Sequence, residues 1–170
     1  RAKAKKTLTQ PPSDSAQPLI IVTGATGRLG QQLVPLLERQ GAKLLVVGRD
    51  LAKLRNSFPN ITACTYSELG KLGRNAALLI HLAVLNNDVD APFDEFERIN
   101  VGLTLQLAQA AQEADIKRMI NVSSVHALDE GNRSSYAKTK REAVLKLNSI
   151  KGFPVTNFYL PAVTGARLGG

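Results

Sequence analysis

From residue 18 onward, short apolar runs alternate along the chain with amphipathic segments of helical spacing. The clearest run, at 76–83, is apolar apart from His81, which is typical of a strand buried on both faces of a parallel sheet. Shorter apolar runs recur between the amphipathic segments. The pattern predicts six strands, at 19–22, 44–47, 61–65, 76–83, 117–123 and 155–160.

The segments between these strands are predicted to be helical, at 28–40, 51–58, 67–73, 92–113 and 134–149. Gly41 and Pro59 fit the ends of the first two helices, and Pro92 fits the start of the long one, where a missing N–H costs nothing. Pro35 lies inside the first helix and is expected to bend it or to weaken its first half. Strands alternating with helices predict an α/β fold, a doubly wound parallel sheet in the order 3-2-1-4-5-6.

Composition adds the domain count and the charge. The 170 residues fit one domain, at 18–170, and 44% apolar with 21% charged residues is ordinary for a globular protein. Residues 1–17 show no apolar periodicity and are expected to be a disordered basic arm or linker. Four cations and one acid lie in this arm, so +5 of the net charge of +8 remains for the domain. A basic domain suits anionic ligands such as phosphorylated cofactors, while the scarcity of aromatic residues makes nucleic acid an unlikely partner.

Cysteine content and hydropathy bear on location. Cys64 is the sole cysteine, so no intramolecular disulfide forms, and a reducing compartment, the cytoplasm by default, is expected. No run of about 18 apolar residues exists, so no membrane-spanning helix is predicted. Because the chain begins at Arg1 rather than at a methionine, we expect a processed form or a fragment of something longer.

A glycine-rich turn joins the first predicted strand to the first predicted helix. It reads Thr-Gly-Ala-Thr-Gly-Arg-Leu-Gly over 23–30. Glycines at such a turn permit a sharp change of direction, close approach of backbone to a diphosphate, and tight packing of helix on strand. The diphosphate then meets the helix N-terminus, where free N–H groups favour an anion. The turn therefore predicts a dinucleotide site formed by Gly24, Thr26, Gly27, Arg28, Leu29 and Gly30.

The end of the second strand bears on the choice between NAD and NADP. A carboxylate normally binds the adenosine ribose here, but Gly48 occupies its expected place and Arg49 follows. A guanidinium can pair with a 2′-phosphate, so NADP is favoured over NAD, with Arg28 as a second contact. Two alternatives stay open: Arg49 is a solvated strand-end residue, or a register shift makes Asp50 the ribose ligand. Asp50 also fits the N-cap of the next helix.

A phenol and an ammonium lie four residues apart in the last predicted helix. Tyr136 and Lys140 therefore share one face, and a neighbouring cation stabilises a phenolate that could exchange a proton with a substrate oxygen. Twelve residues upstream, Ser124 ends the fifth predicted strand, on the side of the sheet where the glycine turn opens. Ser124, Tyr136 and Lys140 are the candidate catalytic residues. His81 is expected to be a packed strand histidine, and His126 a loop residue that could contact a substrate.

These residues resemble the short-chain dehydrogenase/reductase superfamily, in particular its extended branch of NAD(P)-dependent epimerases and dehydratases. The resemblance covers most of the chain after the arm and rests on the segments at 23–30, 81–84, 100–104, 122–124, 136–140 and 160–165. It implies that Tyr136 is the acid/base, that Lys140 binds the nicotinamide ribose, and that Ser124 orients the reacting oxygen. It also implies that Leu82 and Ala83 lie against the cofactor and that Asn100 braces its helix or a water near Lys140.

Two departures from that family stand out. Its third strand usually ends with an acidic residue that binds the adenine amine, and 62–66 supply none. Family members also continue for a hundred residues or more beyond the position of Gly170, so the substrate lobe is expected to be absent from this chain.

The hypothesis from sequence is an NAD(P)(H)-dependent oxidoreductase or epimerase that transfers hydride to or from a secondary alcohol or ketone, with nucleotide sugars as candidate substrates. The alternative is a non-catalytic NADP-binding sensor or interaction module. By resemblance, a homodimer through the two long helices is a further expectation. No metal site is predicted.

Overall fold

The computed structural model describes residues 17–161, which form one six-stranded parallel sheet with helices on both faces. The strands are β1 (Leu19–Thr23), β2 (Lys43–Val47), β3 (Thr62–Cys64), β4 (Leu78–His81), β5 (Met119–Ser124) and β6 (Val155–Leu160). Their order across the sheet is β3-β2-β1-β4-β5-β6. The predicted doubly wound order is confirmed. The basic arm over 1–16 and the segment 162–170 lie outside the described residues.

Helices connect each strand to the next. They are α1 (Arg28–Arg39), α2 (Leu51–Ser57), α3 (Leu69–Leu72), α4 (Phe93–Phe96), α5 (Thr104–Glu113) and α6 (Ser135–Asn148), with a short 3-10 turn at Tyr66–Glu68 before α3. Helix α1 runs through Pro35 without ending there. None of the helices within 17–161 is long and apolar enough to cross a membrane.

Apolar side chains fill both sides of the sheet because successive strand residues point to opposite faces. On one face, Ile21 and Leu79 pack with Leu107 of α5 and Leu147 of α6. On the other, Val22, Val46 and Ile80 pack with Val34 of α1 and Leu54 of α2. This two-sided burial explains why the strands were recognisable as apolar runs.

Two predicted elements need correction. Strand β4 spans Leu78–His81 and is shorter than the predicted 76–83. Its pairing with β1 ends where β1 turns, with the Leu82 N–H donating to the Thr23 carbonyl. The long helix predicted at 92–113 is not α-helical throughout, because a π-helical segment at Glu97–Leu103 separates α4 from α5. Such segments often mark functional sites, and this one contains Asn100.

Candidate active site

A cleft of about 1230 Å³ opens along the carboxyl ends of the strands. Its walls come from the residues that follow β1, β2, β4, β5 and β6, together with parts of α5 and α6. Ligands of doubly wound sheets bind in this position. Every residue predicted to bind a cofactor or to take part in catalysis lines the cleft, except Gly30 and Asn100.

The glycine turn has a backbone that larger residues would not tolerate. Gly24 has a φ of +69°, and a Cβ added to it would lie 2.4 Å from the Ala83 nitrogen. A Cβ on Gly30 would lie 2.3 Å from the Ala25 carbonyl oxygen. Gly24 thus lets β1 turn tightly beside the segment after β4, and Gly30 lets α1 pack against the turn.

The N-terminus of α1 faces the cleft through Thr26, Gly27, Arg28 and Leu29. Gly27 is its N-cap residue, so no side chain caps the helix, and no acidic side chain lies in its first turn. An uncapped helix start of this kind offers backbone N–H groups to an anion. This wall therefore fits the diphosphate of a dinucleotide.

Basic side chains line the cleft beside the end of β2. Arg49 was predicted, whereas Lys53, one turn into α2, was missed. The Asp50 carboxylate accepts a hydrogen bond from the Lys53 backbone N–H at 2.9 Å and is the N-cap of α2. The N-cap interpretation of Asp50 is therefore correct, and Arg49 and Lys53 supply the cations next to it.

Tyr66 is a cleft residue that sequence reasoning missed. Thr65 and Glu68 form a capping box, in which the Thr65 backbone N–H and hydroxyl both donate to Glu68 Oε2, and this places Tyr66 at the cleft wall. Burial raises the pKa of the Tyr66 phenol, and the nearby Arg49 charge opposes that rise. Tyr66 directly follows the third predicted strand, at the place where related proteins have an acidic residue. An aromatic residue at this position was the sequence signal that could have identified it as a cleft residue.

The three candidate catalytic residues line the other end of the cleft, on β5 and α6. Ser124, at the end of β5, accepts a hydrogen bond at its Oγ from the His126 backbone N–H at 3.3 Å. Lys140 Nζ donates to the Val122 carbonyl at 2.8 Å. Tyr136 lies in the first turn of α6, the helix that also carries Lys140, and is half-buried. Within 17–161 no hydrogen bond joins the Tyr136 phenol to Lys140, so any influence of the ammonium on the phenol acts through space.

Burial governs the charge of Lys140. Its side chain is almost fully buried in α6, and this burial lowers the pKa of the ammonium from 10.5 to about 8. The ammonium has three donors and the Val122 carbonyl uses one. The remaining donors can serve the hydroxyls of a ribose placed in the cleft.

The depressed pKa predicts how stability changes with pH. Below about pH 8 both folded and unfolded chains are protonated at Lys140, and the folded state bears the full cost of the buried ammonium. Between about pH 8 and 10.5 the folded state loses this proton before the unfolded state does, so the free energy of unfolding increases with rising pH. Urea unfolding over this pH range should show no such increase in the free energy of unfolding for Lys140→Met. The exposed Lys138→Met is the control and should keep it; equal pH slopes in wild type and Lys140→Met would contradict the assignment.

Asn100 lies behind the cleft and ties two of its walls together. Its Oδ1 accepts from the Leu85 N–H at 2.8 Å, and its Nδ2 donates to the Leu85 carbonyl at 3.1 Å and to Thr139 Oγ1 at 3.2 Å. It thereby joins the segment after β4 to helix α6, which carries Tyr136 and Lys140. The bracing role implied by the resemblance agrees with these contacts.

A buried chain of hydrogen bonds extends this bracing to β1. Thr104 Oγ1 donates to the Asn100 carbonyl at 2.9 Å, so it must accept from His81 Nε2–H at 2.9 Å. The other ring nitrogen, Nδ1, then accepts from the Thr23 hydroxyl at 2.7 Å. Burial, aided by the charge of Lys140, lowers the pKa of His81 to about 3. His81 is thus a neutral, packed strand histidine, as expected.

Similarity to known proteins identifies the family of this chain. The sequence model of the NAD-dependent epimerase/dehydratase family matches residues 20–166. The chain belongs to that family. The resemblance to short-chain dehydrogenases/reductases, stated from the motifs, is thereby confirmed. Among curated relatives, the mitochondrial NADH-ubiquinone oxidoreductase 40 kDa subunit of Neurospora crassa is 31% identical over 156 residues, which cover 83% of this chain and 39% of the subunit.

Solved structures agree with the family on the fold. WbmG of Bordetella bronchiseptica, in complex with NAD and UDP, has a TM-score of 0.72 at 23% identity, over 90% of this chain and 56% of the other. UDP-N-acetylglucosamine 4-epimerase of Bacillus cereus has a TM-score of 0.69 at 21% identity, over 84% and 55%. The chain spans less than two thirds of the length of the curated relatives and of these two structures.

Within this family fold, the cleft divides into two chemically different ends. One end offers an uncapped helix start, basic side chains and Tyr66, which fits a phosphorylated adenosine. The other offers a hydroxyl, a phenol and a buried ammonium, which fits proton exchange at a substrate oxygen. A dinucleotide lying along the cleft would join the two ends.

Proposed function

We propose that this epimerase/dehydratase family member is an NAD(P)(H)-dependent oxidoreductase or epimerase acting on a secondary alcohol or its ketone. The observation that carries the proposal is that Ser124, Tyr136 and Lys140 all line the cleft that the glycine turn also lines. The nicotinamide cofactor, when bound, supplies hydride transfer. The test is turnover with NADP(H) and NAD(H) against a panel containing UDP-glucose, UDP-N-acetylglucosamine and simple hydroxyketones.

The hydrogen bonds of Ser124 and Lys140 support the roles that we propose for these two side chains. Ser124 Oγ already accepts from a backbone N–H, so its own proton is available to donate to the reacting oxygen. The Tyr136 phenol exchanges the proton that the same oxygen gains or loses. Lys140 holds the cofactor ribose with the donors that Val122 leaves unused.

We also propose that NADP is preferred, although the solved neighbours named above contain NAD. The support is the pair of cations, Arg49 and Lys53, on the wall where the adenosine ribose would lie. A 2′-phosphate there would be met by a guanidinium and an ammonium, while Asp50 is occupied as a helix cap.

Arg49→Ala is expected to raise the Kd for NADPH by roughly ten-fold, because a charge-assisted contact to phosphate is lost, and to leave the Kd for NADH nearly unchanged. Calorimetry with both cofactors measures this difference. Arg55→Ala removes the same charge from α2, outside the cleft, and is the matched control. A phosphate preference that survives Arg49→Ala would count against this residue.

Nucleotide sugars are our proposed substrate class, because WbmG was solved with UDP and another neighbour is a UDP-sugar epimerase. Two further expectations stay proposals. A homodimer through the long helices is one, and a cytoplasmic location, based on the single cysteine, is the other.

The second candidate function is a non-catalytic NADP-binding module. It is favoured by the relative that is a subunit of a larger oxidoreductase. NADPH binding without turnover of any panel substrate would support this module and remove the enzyme proposal.

A further inference from the structure

His126 lies at the catalytic end of the cleft, between Ser124 and Tyr136. It lines the cleft from the short 3-10 turn after β5, and its side chain is exposed. Its backbone N–H holds Ser124 Oγ, and its ring meets the Tyr136 ring edge-on, with centroids 6.4 Å apart and planes at 75°. The imidazole of His126 therefore adjoins the Tyr136 ring, and the backbone N–H of the same residue contacts Ser124 Oγ.

The neighbouring Asn132 determines which ring nitrogen carries the proton. Asn132 Oδ1 accepts from the Ser134 N–H at 3.1 Å and from the Ser134 hydroxyl at 2.8 Å, which fixes the orientation of the amide. The amide NH₂ then faces His126 Nδ1 at 3.5 Å. Because an amide NH₂ only donates, this contact favours a neutral ring that accepts at Nδ1 and carries its proton on Nε2.

The Nε2–H of His126 is consequently a donor whose orientation is set by protein contacts. Among residues 17–161 it has no acceptor. The two ring contacts, with Asn132 and Tyr136, restrict the orientation of the ring in the wall of the cleft. A donor held in this way discriminates between ligands that do and do not offer an acceptor.

We propose that His126 is a specificity-determining residue whose Nε2–H donates to a second oxygen of the substrate, on the carbon next to the reacting one. The site then selects α-hydroxyketones and vicinal diols, the arrangement found around a sugar ring, over ketones and alcohols without that oxygen. This inference rests on the proposed function and deepens it, because it names the substrate feature that the same site recognises.

The test compares kcat/KM for matched substrates. The pairs are UDP-glucose with its deoxy analogue lacking the hydroxyl beside the oxidised carbon, and hydroxyacetone with acetone. His126→Phe keeps an aromatic ring beside Tyr136 but removes the donor. His126→Gln keeps a donor near the position of Nε2. Because His126 is exposed, neither variant should change the folded state, and NADPH affinity checks this.

The expected result is a loss of selectivity rather than of activity. For His126→Phe, kcat/KM should fall roughly ten-fold for the hydroxylated member of a pair and less than about two-fold for the other. His126→Gln should retain most of the preference. An equal fall for both members, or no fall for either, would overturn the inference while leaving the proposed function intact. If the wild type turns over no member of either pair, the inference is rejected, whereas the enzyme proposal is rejected only when the whole substrate panel fails.

The tautomer gives a readout independent of turnover. The chain has only two histidines, so ¹⁵N-histidine spectra of the protein assign readily. At a pH where His126 is neutral, its proton should be on Nε2, and Asn132→Ala should release this preference. A proton on Nδ1 in the wild type would overturn the inference.

Discussion

Replacing Tyr136 with phenylalanine is expected to lower kcat by roughly a thousand-fold while changing the Kd for NADPH by less than about two-fold. The phenol is the group placed to exchange a proton with the substrate oxygen, and phenylalanine keeps its ring contact with His126. Cofactor binding is assigned to other residues, namely the glycine turn, Arg49, Lys53 and Lys140. Steady-state turnover and calorimetry on the same preparation separate the two effects.

Tyr159→Phe is the matched control. Tyr159 lies on β6, outside the residues that line the cleft, so the loss of its phenol should leave turnover unchanged. Unaltered turnover in Tyr136→Phe would remove this residue as the acid/base, whatever the cofactor affinity.

The largest structural effect is expected for Gly24→Ala. The new methyl group would lie 2.4 Å from the Ala83 nitrogen and 2.6 Å from the Leu82 carbonyl carbon, at a φ of +69° that alanine rarely adopts. The left-handed backbone alone costs about 1–2 kcal/mol. With the overlap added, we expect the free energy of unfolding to fall by roughly 3 kcal/mol or more. Because Leu82 and Ala83 line the cleft, NADPH affinity should be lost as well.

Gly70→Ala makes the same chemical change where space permits it. Gly70 lies in α3, and nothing would come within 4 Å of the added Cβ. Alanine favours a helix over glycine, so a gain of up to about 1 kcal/mol is expected. Urea unfolding and NADPH titration of both variants test the pair, and wild-type affinity in Gly24→Ala would contradict the role given to this turn.

The fold was predictable because its strands are buried on both faces. Apolar runs marked β1, β2 and β6 to within one residue at each end, and the alternation of strands and helices led to the observed sheet order. The glycine turn was also predictable, since local backbone geometry requires glycine at Gly24 and Gly30.

Features that depend on long-range contacts were not predictable from the sequence. The π-helical segment carries Asn100, whose amide bonds Leu85 and Thr139 on other parts of the fold, and the helical pattern of 92–113 does not reveal these contacts. The end of β4 depends on where β1 turns away. Local patterns do indicate the N-terminal caps of α2 and of the 3-10 turn before α3, which position Lys53 and Tyr66. They do not show that these two residues line the same cleft.

The double hydrogen bond between Asn100 and Leu85 couples the shape of the cleft to the position of the catalytic helix. The same amide donates to Thr139 of α6, so the stretch after β4 can move outward only by breaking these bonds or by carrying α6 along. Any ligand that displaces this stretch without breaking the bonds would therefore also displace Tyr136 and Lys140.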